Sequence, residues 1–248
     1  MQRIPKQVWL GIAFMFLSAL TYFIHFLIFR DPHHIFIYMV GDIAFVFIEV
    51  LMVTLIIHAL LEHRERRTRL EKLNMVIGIF FSEMGTELVS YFSDLDPNLE
   101  TLRGELTVSS HWKDAEFREV TRHLAAYAYR VEPERLDLVK VKDYLVSKRD
   151  FLLMLLENPN LIEHERFTNL LWAVFHAAEE LRFRKDLSAL PQEDIAHLTG
   201  DINRAYGLLV SEWIAYMKHL RENFPYLFSL AIRTNPFDEN ASVIVKQA

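Results

Sequence analysis

Two pairs of side chains in the C-terminal half have the spacing of metal ligands. His176 and Glu180 stand four residues apart, as do His197 and Asp201, so in helical stretches each pair occupies one face. Facing each other across antiparallel helices, the pairs would offer two imidazoles and two carboxylates to a divalent cation. The Glu-x-x-His spacing of di-iron bundle sites is not met, and structural hydrogen bonds or a solvated face would use the same residues.

A second group is ionisable and embedded in apolar sequence: His25 in the run Val8 to Phe29, and Asp42, Glu49 and His58 in the run Ile35 to Leu61. A charge at bilayer depth costs a few kcal/mol, so such groups face protein or water and often mark function. Asp42 and Glu49 are two helical turns apart and share a face within about 20°. His25 and Asp42 reach comparable depth in an antiparallel hairpin. Glu49 lies near the midpoint of its run with only Ser18 level with it. It serves either as a protonated link between helices or, with Asp42, as one of the acidic rings lining a cation path between several copies. His58 and His63 flank the inner interface, where a titrating gate or plain solvation would each account for them.

These groups require helices. A bilayer core needs about 20 apolar helical residues, and both runs are long enough to cross it. Val8 to Phe29 is too long for a signal-peptide core and reads as a retained anchor. Arg3 and Lys6 precede the first run; Arg64, Arg66, Arg67, Arg69 and Lys72 follow the second. The positive-inside rule then places both termini in the cytoplasm and the loop Arg30 to His34, turned at Pro32, outside. The basic collar sets topology and is placed to touch anionic head groups, although Glu62, Glu65 and Glu71 dilute it.

Past the collar, Leu70, Leu73, Ile77, Phe80 or Phe81, Met84, Leu88 and Tyr91 recur at helical spacing. An unbroken helix from Ile35 to Phe92 would be about 85 Å long, ending at Ser93 to Asn98. Later helices are expected near Leu99 to Leu106, Lys113 to Arg130 behind a Ser109-Ser110 start signal, Arg135 to Glu157 with a bend at Ser147, Ile162 to Lys185, Pro191 to Asn223 and Tyr226 to Thr234. The run LLWAVF at 170–175 reads as buried on nearly every side. Asn235-Pro236 ends regular structure, and the apolar segment before it is expected to dock on the bundle or on a neighbour. The aromatics Trp172, Tyr206, Trp213, Tyr216, Phe224, Tyr226 and Phe228 read as core or subunit contacts.

The chain is therefore expected to be all-α: a transmembrane hairpin (1–61), a collar and exit helix (62–92) and a cytoplasmic helical domain (93–248). Of 248 residues 52% are hydrophobic and only 7 are Gly, which suits helices, and the absence of Cys excludes disulfides and thiolate zinc sites. Residues 73–248 carry 19 Lys and Arg against 27 Asp and Glu, which argues against a nucleic-acid surface.

Glycine-rich phosphate loops, a GxSxG elbow and an HExxH pair are all absent. Arg118 and His123 form an R-x-x-x-x-H string that resembles the active-site motif of HEPN ribonucleases; the likeness covers six residues and would imply RNA cleavage. The fuller reading is a non-enzymatic, homo-oligomeric protein of the cytoplasmic membrane whose helical domain senses or binds a cytoplasmic ligand or protein, with no cofactor beyond a divalent cation. A cation channel is the alternative, and a membrane-bound hydrolase or nuclease using His123, His176 or His197 is a third.

Overall fold

The computed structural model describes residues 6–159, 161 and 164–244, and their side chains except at 6, 7, 34 and 66–71. The protein is all-helical, with no strand among the described residues. It divides into two compact units, residues 1–65 and 66–248.

The first unit holds α1 (Lys6–Phe29) and the first part of α2 (Pro32–Phe80). The turn between them is built locally. Arg30 takes a left-handed backbone with φ 50°, the Asp31 carboxylate accepts from His33 N at 2.9 Å, and Pro32 opens α2, where its missing N–H costs no helical bond. Large apolar side chains such as Phe16, Phe47 and Ile48 stand exposed along both helices. By length and composition Val8–Phe29 and Ile35–Glu65 could each cross a membrane, and neither is buried within the chain. Such helices keep their backbone polar groups bonded internally and present hydrocarbon outward, as lipid requires.

A third stretch, Lys72–Ser93, is apolar enough to span as well, but 44% of it is buried. Leu73, Ile77, Phe80, Phe81, Met84, Leu88 and Phe92 all lie in the core of the second unit, so the expected stripe packs inside the helical domain. The expected single helix is interrupted. α2 stops at Phe80, Phe81–Gly85 form a π-helical turn, and α3 (Thr86–Ser93) resumes. The extra residue of a π turn shifts the face by one position, and the two consecutive phenylalanines meet different partners. Phe80 meets Phe167 edge-on at 5.5 Å and Phe81 stacks on Tyr216 at 5.3 Å.

The remaining helices are α4 (Glu100–Leu106), α5 (Asp114–Ala126), α6 (Leu138–Ser147), α7 (Arg149–Leu156), α8 (Glu165–Phe183), α9 (Gln192–Asn223) and α10 (Pro225–Arg233). Three boundaries depart from expectation. α5 starts at Asp114 behind Lys113, whose backbone N–H donates to Glu116 at 2.9 Å, while Ser109 instead accepts from His111 N at 3.4 Å in a turn of its own. α5 ends at Ala126 because the next residues are held in an extended crossing by Tyr127 to Asp96 (2.9 Å) and by Val131 N to Asn203 (2.8 Å). The bend expected at Ser147 is a break at Lys148, and Asp137 caps α6 by accepting from Lys140 N at 2.9 Å. The expected start at Ile162 lies outside the described residues; α8 begins at Glu165 behind His164, whose Nδ1 accepts from Phe167 N at 3.1 Å.

α8 and α9 form the spine, with Phe167, Leu170, Leu171, Val174 and Leu181 of one helix and Ile202, Tyr206, Leu209, Trp213 and Met217 of the other buried. The run at 170–175 is not enclosed: Trp172 is 55% exposed. After α10 the tail returns to the core. Asn235 donates to Leu106 O at 2.9 Å and accepts from Phe237 N at 2.9 Å, and Phe237 is buried against Trp213 at 5.1 Å.

Candidate functional site

α8 and α9 run antiparallel, as the cross-helix pairs Arg166 with Ser211, His176 with Asp201 and Arg184 with Asp194 require. The inner face of α8 holds Ala173, Ala177 and Ala178, which leave room for close approach, and its edge carries His176 and Glu180. The matching edge of α9 carries Asp194, His197 and Asp201. The two pairs read from the sequence therefore meet.

Asp201 is the centre of the group. It is 4% exposed, and its Oδ2 lies 3.3 Å from His176 Nε2 and 3.5 Å from His197 Nε2. That oxygen is buried and accepts no hydrogen bond, an arrangement that costs about 1–3 kcal/mol unless something else satisfies it. The imidazoles above it are 47% and 54% exposed, so the cluster opens to solvent through groups that can turn. Glu180 Oε2 stands 3.7 Å from His197 Nε2. Among the described residues no three His, Asp or Glu donors enclose a common point; bringing them to one point takes rotation of the two exposed rings.

Arg184, just past the end of α8, was not foreseen. Its guanidinium donates to both oxygens of Asp194, at 2.8 and 2.6 Å, and to Glu180 at 2.7 Å. A planar fork of this kind is suited to carboxylates. Those hydrogen bonds hold the Glu180 and Asp194 carboxyls below their ordinary range and raise the guanidinium. Arg204 adds a looser contact to Asp201 at 3.4 Å. Three carboxylates against two guanidiniums leave the cluster with net negative charge when both histidines are neutral.

In the first unit, Asp42 accepts from Tyr22 at 3.4 Å, and Ser18, Thr21, Tyr22, His25 and Asp42 line an open groove of about 470 Å³. His25 and Asp42 share this groove, as their depths suggested; Tyr22 as the partner was legible only from its position one turn before His25. Glu49 and His58 are exposed along α2. Among the described residues Glu49 makes no hydrogen bond or ion pair. Of the collar, Arg64 and Lys72 are exposed, and the side chains of Arg66, Arg67 and Arg69 lie outside those described.

Arg118 and His123 do not form one site in this chain. Arg118 lines a groove with Arg166 and Lys218, whereas His123 faces another with Trp112 and pairs with Glu105 at 2.7 Å. Five residues on a helix separate their directions by about 140°.

A family model described as "MJ1433, N-terminal helical domain" matches residues 2–61, and one described as "Uncharacterized protein MJ1433, C-terminal helical domain" matches residues 69–233. The chain is 47% identical over 238 residues to a protein of Methanocaldococcus jannaschii named "Uncharacterized protein MJ1433", covering 96% of this chain and 95% of that one. No solved structure matches it.

Proposed function

We propose, from the premise that this chain belongs to the MJ1433 family, that it is a membrane-anchored binding protein. Its two N-terminal helices hold it in the bilayer as a hairpin, and its helical domain takes up a ligand on the cytoplasmic side without chemical turnover. The supporting observation is the contrast between the units. α1 and the apolar part of α2 bury none of their span windows, whereas an equally long apolar stretch, Lys72–Ser93, turns its stripe into a core. Surface as continuous as that of Val8–Phe29 and Ile35–Glu65 has no stable exposure in water. The feature favouring binding is the solvent-facing cluster of His176, His197, Asp201 and Glu180.

Membrane residence and sidedness are tested together. The chain has no cysteine, so single cysteines report topology without background. The protein should stay in the membrane pellet through alkaline carbonate extraction. His33→Cys should react with an impermeant maleimide in intact cells, and Ser188→Cys only after lysis. Release by carbonate would overturn the anchoring, and the opposite labelling pattern the cytoplasmic placement.

A second reading, a cation path through a homo-oligomer, is favoured by Glu49, which sits at mid-span without a partner among the described residues.

A further inference from the structure

The geometry points to a single transition-metal dication of the zinc type at the seam of α8 and α9, ligated by His176 Nε2, His197 Nε2 and Asp201 Oδ2, with water completing the shell. This supplies the ligand class of the proposed binding domain and rests on that reading.

Around a tetrahedral zinc with bonds of about 2.0–2.1 Å, neighbouring donors lie about 3.3–3.4 Å apart. The observed separations of 3.3 Å (His176 to Asp201) and 3.5 Å (His197 to Asp201) match two of the three edges, and closing the third takes rotation of the two half-exposed rings. The second observation is independent of spacing. The Asp201 oxygen shared by both imidazoles is buried and accepts no hydrogen bond, and an ion held between it and the rings would satisfy it. The net negative charge of the surrounding carboxylates and guanidiniums does not repel a dication.

Glu180 is not a ligand in this arrangement, because Arg184 holds it at 2.7 Å; it stands beside His197 as an outer-shell acceptor. Three protein ligands and one exchangeable position describe an open site. Two imidazoles select zinc, cobalt or nickel over magnesium and calcium, which prefer oxygen shells.

Full-length protein purified in detergent, stripped with chelator and dialysed against zinc should retain one zinc per chain by elemental analysis. Cobalt in its place should give the visible absorption of a tetrahedral centre. His176→Ala and His197→Ala should each weaken zinc binding at least tenfold, and the double variant should abolish it while its helical circular dichroism is unchanged, since both rings are half exposed. Glu180→Gln should weaken it by less than either. Less than one zinc per chain in the parent, or equal retention by the double variant, would overturn the site. Carbonate extraction is indifferent to all of these substitutions, so failure of the metal site and failure of membrane anchoring give different results.

Discussion

At the scale of single residues, the sequence disclosed what depends on spacing and hid what depends on the path of the chain. Four-residue intervals were enough to put His176 with Glu180 and His197 with Asp201 on helix faces, and the antiparallel pairing of α8 and α9 did the rest. Nothing in the interval between Arg184 and Asp194 announces a clamp, because the loop that folds one onto the other has no period. Glu212 was hidden for the same reason. It is buried on α9, its Oε2 accepts no hydrogen bond, and His164 and Arg166 approach it only to 3.7 Å. Burial raises its carboxyl above the ordinary range, and the nearby His164 and Arg166 pull it down by less. In the folded chain burial thus disfavours the ionised carboxyl relative to the neutral one. Its contribution is therefore full below about pH 4.5 and is lost as pH rises through the shifted value. Glu212→Gln should remove that loss: thermal unfolding at pH 7 should shift upward by about 2–4 °C, and the gain over the parent should vanish near pH 4. A variant less stable at neutral pH would mean that the charged form is held by His164 and Arg166 after all.

At the scale of elements, hydrophobic period located nearly every helix, and its failures have physical causes. The stripe through residues 70–91 could not choose between Phe80 and Phe81, since spacing of three or four residues admits either one. The π turn accommodates both, and Gly85 is what lets it close. A Cβ at Gly85 would fall 2.7 Å from a ring carbon of Phe80 and 2.7 Å from one of Phe81, and both rings are buried. Gly85→Ala should therefore cost about 1–3 kcal/mol, the range of overpacked cores, read as a lower midpoint of chemical unfolding. A Gly85→Ala chain as stable as the parent would show that the π turn does not depend on this glycine. Trp172 marks the opposite error. Its neighbours are apolar, so composition assigned it to the interior, yet its direction on α8 carries it outward and leaves it available as the surface aromatic that composition alone could not distinguish from core.

At the scale of the whole molecule, the question is what an acid does in the middle of an apolar helix. Asp42 has Tyr22 as a donor, so the hairpin answers for that group itself. Glu49 has no such partner among the described residues, and a carboxylate at the bilayer centre costs a few kcal/mol by insertion scales. Two spans cannot surround it. On the proposed hairpin the deficit would be met either by a hydrogen bond from the acid to a neighbouring copy or by water in a path that several copies enclose. If either route operates, further copies are needed, so the purified protein should be a homo-oligomer by native mass spectrometry, and Glu49→Leu, which keeps the volume apolar, should weaken it. Monomer under all detergents would defeat both. Flux separates the two: through an aqueous path, liposomes should pass cations in preference to anions, and Glu49→Gln should lower that preference about tenfold. If Glu49→Gln leaves the oligomer intact and neither chain passes ions, the acid is a hydrogen-bonding link between helices, since an amide can take over a hydrogen bond but cannot attract a cation.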